Sequence, residues 1–257
     1  MLQAKKRFWG KKPGFDTGDL LHIGVNLIFA AMIYAMVVYW NLVLLAITLI
    51  LLSKWRVLAV QPRFWIPNIK ANLIDVVVGI STVVLIYSAE SSWLAILWTV
   101  LYASWLLFLK PREHDILVGA QAFWGQFLGM IAIFMLPSLV QSPFLACAAL
   151  WLVSVSAARH FFSNYEEPHY RSLSLIWGLL VTQLGWISLH WVQYYALFDV
   201  KIALYAVVVA VVSASAGSIY HAYKKDTLQK GVVLENLLFA VALLTVIVTT
   251  AGWSAQL

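Results

Sequence analysis

The segment QPRFWIPNIKANLIDVVVGIST, residues 61–82, changes from a basic, aromatic sequence into an almost continuous apolar one. This pattern is typical of a chain that enters a membrane from its surface. If a helix begins near Pro67, Asp75 lies about two turns inside the membrane. A carboxylate at that depth costs roughly 2.5–3.5 kcal/mol unless it is paired, protonated or hydrated. Helical spacing predicts one polar or small face, made of Asn68, Asn72, Asp75, Gly79 and Thr82.

The composition is that of an integral membrane protein. The 257 residues are 63% hydrophobic and 11% charged, whereas a soluble domain is about 45–50% apolar and about 25% charged. The apolar residues form long blocks that leave no stretch for a soluble domain. We therefore predict an all-α polytopic membrane helix bundle, in which residues 19–257 form one transmembrane domain after a basic, aromatic, cytoplasmic segment at 1–18.

The apolar blocks predict nine transmembrane helices, at residues 19–39, 41–58, 67–87, 93–109, 115–136, 144–162, 172–190, 201–223 and 232–253. The first boundary, Trp40–Asn41, is weakly marked, and one bent span is the alternative there. Charge decides between the two. With nine spans, every one of the 17 Lys and Arg residues except Lys201 falls on one side. Since positive charge stays cytoplasmic, we expect the N-terminus inside and the C-terminus outside.

The net charge and the cysteine content indicate which partners and which disulfide bonds to expect. The net charge of +6 comes from short loops between apolar blocks, which favours anionic lipid over nucleic acid. A single cysteine, Cys147, excludes an internal disulfide. The first apolar block has no small-residue cleavage motif, so we expect it to be a retained helix. The expected location is a cell membrane, with the bacterial cytoplasmic membrane favoured. The expected protein partner is another membrane protein or a second copy of this chain.

Polar residues inside the predicted spans concentrate on the cytoplasmic side. This asymmetry predicts a polar cavity, open to the cytoplasm and built by the first, third and ninth spans. Asp75 and Glu235 are candidates for binding a cation or proton, because acids within spans are costly and often functional. A structural partner, such as Arg159 or Lys70, is the alternative reading of these acids. The candidate binding residues are His22, Asn26, Asn68, Asn72, Asp75, Arg159, His160, Glu166, Glu167, Arg171, Glu235 and Asn236. The residues indicate no metal site and no particular cofactor.

Two small-residue patterns predict close helix packing. Gly125 and Gly129 have the GxxxG spacing, and residues 213–218 read SASAGS. Small residues let helix backbones approach closely in a membrane. Gln121 and Gln126, on the same span as the GxxxG pair, are predicted to form interhelical hydrogen bonds.

Two resemblances to known families follow from short motifs. Residues 166–171, EEPHYR, match EExxxR and so resemble the first motif of the membrane metalloproteases that process prenylated proteins. That resemblance implies a catalytic metal or activated water at Glu167 together with later histidines. His190 would, however, lie roughly 30 Å from Glu167 along one helix. The QPRFW segment and the nine spans also resemble the intramembrane aromatic prenyltransferases, whose Asp-rich magnesium motifs this sequence lacks.

Three functions stay open. The favoured one is a transporter or permease of a small solute or lipid. The second is a non-catalytic membrane subunit or scaffold. The third is a membrane-embedded enzyme acting on lipid at the cytoplasmic leaflet, with Glu166, Glu167, His160 and His169 as acid–base or metal groups. A non-enzyme is favoured over an enzyme.

Overall fold

The computed structural model describes residues 17–55, 59–109, 115–191, 193–197 and 200–250. The predicted basic segment at 1–18 lies, except for its last two residues, outside the described part. The helices are α1 Thr17–Val38, α2 Val43–Leu52, α3 Trp65–Ala71, α4 Leu73–Tyr87, α5 Ser92–Ser104, α6 Asp115–Met135, α7 Pro137–Val140, α8 Pro143–Asn164, α9 Tyr170–His190, α10 Leu204–Lys224 and α11 Lys230–Thr250. A 3-10 turn, Pro62–Phe64, precedes α3, and a π-helical segment, Trp105–Leu109, extends α5.

The described residues contain seven helices long and apolar enough to cross a membrane. They are α1, α5 with its π-helical extension, α6, α8, α9, α10 and α11. The bent pair α3–α4 is an eighth candidate. The chain is therefore an all-α, multi-pass membrane protein, as predicted. The count of nine spans is not confirmed, because α2 has only 10 residues. Ten residues make about 15 Å of helix, half of the roughly 30 Å hydrocarbon layer.

The chain does break at the weakly marked boundary. The first helix ends at Val38, Asn41 has a φ of 53°, and α2 begins at Val43. Asn enters this left-handed region more readily than most residues, which suits it to the turn. The second helix then stops early: Ser53 Oγ donates to the Ile50 carbonyl at 2.6 Å. Residues 56–58 of the predicted second span lie outside the described part.

The most deeply packed helix is α4, which has ten of its 15 residues buried. It contacts α1, α2, α5, α6 and α8. The prediction of one continuous helix from Pro67 to Tyr87 is wrong, because the chain bends by 56° between α3 and α4. Asn72 at the break donates its side-chain amide to the Asn68 carbonyl at 3.0 Å. Such a local bond competes with the helical ladder. Asn68 therefore does not share a continuous helical face with Asp75.

The bundle has two different ends. At the charged end, α4, α6, α9 and α11 begin while α2, α8 and α10 finish. At the hairpin end, strand β1 Tyr194–Leu197 pairs antiparallel with strand β2 Val200–Ala203, where the sequence predicted a helix from residue 201. The Tyr194 hydroxyl donates to the Phe134 carbonyl at 2.9 Å, and the Tyr195 hydroxyl lies 2.6 Å from Thr250 Oγ1. The hairpin is thereby tied to the ends of α6 and α11.

Glycine decides how closely α6 approaches its neighbours. A Cβ atom at Gly125 would overlap the Ile74 side chain, and one at Gly129 would lie 2.7 Å from Val153 Cγ1. The GxxxG prediction is confirmed, because both glycines lie where α6 meets α4 or α8. The same prediction for residues 213–218 does not hold at Gly217. A Cβ at Gly217 would meet only the Phe161 ring, at 3.8 Å, an ordinary van der Waals contact.

This packing gives a first prediction. The Gly129→Ala substitution should lower stability by about 1–3 kcal/mol, since the new methyl would press on the stiff, β-branched Val153. Gly119→Ala, on the same helix, is the control, because its Cβ would lie 3.7 Å from Phe161. Both changes raise intrinsic helix propensity equally, so their difference isolates the steric effect. Thermal unfolding in detergent measures it. Equal midpoints for the two variants would contradict the packing of α6 against α8.

Candidate functional site

Ion pairs gather at the charged end of the bundle. Lys54 Nζ lies 2.6 Å from Asp75, Lys224 Nζ lies 2.6 Å from Glu167, and Lys225 Nζ lies 2.5 Å from Asp115. Each pair joins a helix end to a different helix end or turn, because α4 and α6 begin where α2 and α10 finish. Three acids near helix ends are thus paired with lysines where the membrane is expected to meet water.

Asp75 pairs with a lysine that the sequence analysis did not name. Lys54 lies two residues after the end of α2, and its side chain and that of Asp75 are 14% and 15% exposed. A partly buried ammonium offsets much of the cost of a carboxylate below the membrane surface. The alternative reading of Asp75, a structural ion pair, therefore has a physical basis, with Lys54 in place of Arg159 or Lys70.

A second polar group surrounds the C-terminal end of α8. A His160 ring nitrogen lies 2.7 Å from Gln121 Oε1, and Gln121 donates its amide to the Leu109 carbonyl. The Arg159 guanidinium lies 5.3 Å from the centre of the Tyr170 ring, and that of Arg171 lies 5.7 Å from it. These are cation–π distances. The α8–α9 connection therefore presents two cations beside one aromatic ring.

A groove of about 510 Å³ lies on the other side of α8, between α6 and α10. Its floor includes Ala157, Ala158 and Phe161 of α8. Small residues of α10, Ala214, Ala216, Gly217 and Ser218, form one wall, and α6 residues such as Gly119 and Phe123 form the other. Trp124 at its edge is 43% exposed and Ile116 is 65% exposed. Since both helices are candidate spans, the groove opens sideways towards the hydrocarbon of the bilayer.

The groove ends at the charged end in a polar mouth. We define this mouth by Asp115, Tyr165, Tyr220 and His221, all of which line the groove. The Tyr165 hydroxyl lies 2.6 Å from His221 Nδ1, and Tyr220 donates to Glu167 at 2.5 Å. Burial raises the pKa of the Tyr165 hydroxyl, and the nearby Asp115 raises it further. Tyr165 therefore stays protonated and can donate or accept a hydrogen bond at the mouth.

Gln126 lies at the opposite, deep end of the groove. Its side chain is 5% exposed, and its Oε1 lies 3.4 Å from Trp177 Nε1 and 3.5 Å from Ser213 Oγ. Its Nε2 has no hydrogen-bond partner within the described part of the protein. An unsatisfied buried donor costs roughly 1–3 kcal/mol.

The predicted site residues do not form one cavity. His22 and Asn26 bond to each other on the outer surface of α1, with 3.1 Å between Nε2 and Nδ2. Asn236 donates within α11 to the Val232 carbonyl, and Glu235 beside it is exposed. The last helix packs chiefly against α10, whereas α1 and α4 contact each other on the far side of the bundle. The first, third and ninth predicted spans are thus not brought together.

The remaining candidates divide between the two sides of α8. Arg159, His160 and Arg171 belong to the group around Tyr170 and Gln121. Glu167 is bound near the mouth of the groove. Glu166 is exposed in the turn before α9, with a φ of 50°. Asn68 and Asn72 form the bend between α3 and α4.

Sequence reasoning did not locate the groove. The SASAGS run was the available signal, but small residues either close a helix contact or leave a space, depending on what lies opposite. Gln126 was predicted to bond to another helix, and it does so only through its oxygen. No sequence motif indicated a role for Tyr165 and Tyr220, because their partners His221 and Glu167 are more than 50 residues away in the chain.

The described residues contain no group of three or more His, Cys, Asp or Glu side chains placed to hold a metal ion. Comparisons of this chain with protein-family models, curated proteins and solved structures find no match. Its function therefore has to be inferred from the residues themselves.

The Lys54–Asp75 pair gives a second prediction. Lys54→Met should lower the free energy of unfolding by about 1–3 kcal/mol, because the Asp75 carboxylate loses its partner. Adding Asp75→Asn should restore most of that loss. Lys70→Met is the matched control, since Lys70 is exposed on α3. Unfolding midpoints in detergent test this. A double variant as unstable as Lys54→Met alone would show that the ion pair is not the source.

Glu167 gives a third prediction, on pH. Hydrogen bonds from Lys224 and then Tyr220 hold the pKa of the Glu167 carboxyl below its ordinary value. A carboxyl with a depressed folded-state pKa stabilises the protein above its unfolded pKa, about 4.3, and loses that contribution as the pH falls through the folded value. Wild type should therefore melt above Glu167→Gln at pH 7, and the difference should shrink as the pH falls below about 4.3 and disappear once the pH is below the folded-state pKa.

The neighbouring carboxyl provides the control for this pH experiment. Glu166→Gln removes the same charge from an exposed side chain one residue earlier. Its melting temperature should follow that of wild type at every pH. If Glu167→Gln also follows wild type at pH 7, the contacts from Lys224 and Tyr220 do not stabilise the fold.

Proposed function

We propose that this protein is a transporter of a lipid-like amphiphile, which it binds in the groove between α6, α8 and α10. One observation carries the proposal: an apolar groove of about 510 Å³ opens sideways and ends in a polar mouth. The volume lies within the roughly 300–1,000 Å³ that is usual for small-molecule sites. An amphiphile would place its apolar chain along Phe123 and Phe161 and its polar group at the mouth.

We also propose that the charged end faces the cytoplasm. Every described Lys and Arg lies at that end except Lys201, which is in β2. Positive charge is retained on the cytoplasmic side of membranes, which supports this orientation. The groove would then open to the cytoplasmic leaflet. Arg63, Lys70 and Arg171 are exposed at this end and would attract anionic lipid head groups there.

The charges favour an amphiphile over a small ion as the ligand. A cation site needs several free oxygens that converge on one point. Asp75, Asp115 and Glu167 each contact a different lysine instead, on three separate helix ends. The polar groups at the mouth can bind one polar head group. The apolar walls can bind an apolar chain, which small water-soluble solutes lack.

The enzyme hypothesis has less support from the geometry. Its acid–base residues were Glu166, Glu167, His160 and His169. Glu167 is bound by Lys224 and Tyr220, while His160 faces Gln121 across the other side of α8. These side chains do not point at one substrate position. The scaffold hypothesis explains neither the groove nor its polar mouth.

The fourth prediction fills the groove. Gly217→Trp should abolish amphiphile binding and transport, because the new side chain would occupy space now bounded only by Phe161 at 3.8 Å. Val212→Trp is the control, since Val212 lies on the same helix, is 39% exposed and does not line the groove. Native mass spectrometry measures retained lipid, and movement of a fluorescent phospholipid between the leaflets of proteoliposomes measures transport.

Three outcomes are distinguishable. Loss of both signals in Gly217→Trp, with both retained in Val212→Trp, supports the proposal. Retained lipid without any movement of the fluorescent phospholipid in wild type would contradict transport and leave binding alone. Equal signals in all three proteins would contradict the groove as the site.

A further inference from the structure

The groove contains one buried donor without a partner. Gln126 Nε2 has no hydrogen-bond partner among the described residues, and the side chain is 95% buried, at 5% exposure. The groove residues that precede Gln126 on α6, Ala122, Phe123 and Trp124, have apolar or aromatic side chains that offer no acceptor oxygen. A buried amide that is left half satisfied in such a place indicates that something else supplies its acceptor.

The orientation of the Gln126 amide follows from its neighbours. The indole Nε1 of Trp177 can only donate a hydrogen bond, so the atom of Gln126 that faces it, at 3.4 Å, has to be the oxygen. Ser213 Oγ, at 3.5 Å, faces the same oxygen and can also donate. The NH₂ group of Gln126 is therefore the part left for a ligand. It can only donate, so it selects an acceptor.

The depth of Gln126 constrains where that acceptor lies in the ligand. Asp115 at the mouth is 11 residues before Gln126 on α6, which is about 16 Å of helix. His221 at the mouth is eight residues after Ser213 on α10, about 12 Å. Since α6 has 21 residues, Gln126 lies at its middle, and so near the middle of the bilayer if α6 spans it.

We propose that Gln126 recognises a hydrogen-bond-accepting oxygen part-way along the apolar chain of the ligand. This inference rests on the proposed binding of an amphiphile in the groove. The ligand class is an acyl chain with a mid-chain ketone or hydroxyl group, whose polar head lies at the mouth. The ester oxygens of an ordinary phospholipid lie next to its head group. They would stay near Asp115, about 12–16 Å short of Gln126.

The groups around the mouth can contact a carboxylate head group. Lys225, which is 51% exposed beside Asp115, and Lys224, beside Glu167, lie at the end of α10 and keep donors for a second carboxylate. Tyr165 and His221 can both take part in hydrogen bonds to the same head. A fatty acid with an oxygen in the middle of its chain would therefore meet polar partners at both ends of the groove and apolar walls between them.

The test compares three fatty acids of equal length. One carries a ketone at mid-chain, one carries it beside the carboxyl group, and one carries none. Each displaces a fluorescent fatty acid from the full-length protein in lipid nanodiscs. Wild type should bind the mid-chain ketone about fivefold to tenfold more tightly than the other two, the ratio expected for one added neutral hydrogen bond.

Variants assign that preference to Gln126. Gln126→Met keeps the length of the side chain but removes the donor, and it should bind all three fatty acids equally. Gln126→Leu is a second apolar variant, in case methionine disturbs the fold. Thr99→Val is the control, because it also removes a polar group from a partly buried side chain, but Thr99 donates to the Ala95 carbonyl within α5 and does not line the groove. It should keep the preference.

Each outcome has a separate meaning. Equal binding of the three fatty acids by wild type would overturn the role of Gln126 but leave the groove as an amphiphile site. A preference that persists in both Gln126→Met and Gln126→Leu would also overturn it. No displacement by any fatty acid, with wild-type folding intact, would overturn the proposed function itself and this inference with it.

Discussion

A charge inside a hydrocarbon layer is costly, and this constraint arranges the whole molecule. Insertion scales place the cost of Asp, Lys or Arg at the centre of a span at roughly 2.5–3.5 kcal/mol. Three of the described acids near helix ends contact lysines: Asp75 contacts Lys54, Glu167 contacts Lys224 and Asp115 contacts Lys225. Each pair connects the start of one helix, or the turn before it, to the finish of another. These contacts therefore neutralise charge and join neighbouring helices at the same time.

Small residues in this fold have two opposite effects, and the difference comes from what faces them. At Gly129 the facing groups are the branched Val153 and Val77, which reach within 2.7–3.3 Å of where a Cβ would be. At Gly217 the facing group is the Phe161 ring at 3.8 Å, and the space beyond remains open. Close packing of α6 stabilises the interior in the absence of a hydrophobic driving force between helices. The thin side chains of α10 instead leave room for a ligand.

The sequence predicted those features that depend on local signals. Long apolar blocks predicted the membrane helices, Asn41 marked a real break, and the GxxxG spacing marked a close contact. The bend at Asn72 was missed, because the apolar pattern continues through it while one amide bonds to the Asn68 carbonyl. The β-hairpin was also missed, because its tyrosine-rich sequence is as typical of a membrane-surface segment as of a strand. Its hydrogen bonds to Phe134 and Thr250 join residues that are distant in the chain.

Even less of the candidate site than of the fold could be predicted, because its side chains contact residues that are distant in the chain. Asp75 stood out by its depth, yet its partner Lys54 is 21 residues earlier and belongs to another helix end. No sequence pattern indicates that the Trp177 and Ser213 side chains both face the Gln126 side-chain oxygen.

An isolated amide at mid-membrane indicates a different ligand from a cluster of carboxylates. Acids gathered at one point would bind an ion, and that ion would have to lose its hydration water to enter the site. Here Asp75, Asp115 and Glu167 are separated from one another and each contacts its own lysine, and the buried polar side chains of the described part are all neutral. A neutral donor such as Gln126 Nε2 can be satisfied by one oxygen on an otherwise apolar molecule, which reaches it through the side of the bundle without crossing a charged barrier. Lateral entry, neutral recognition and a polar mouth are therefore physically consistent with one another, and they are the combination that an amphiphile dissolved in the membrane requires.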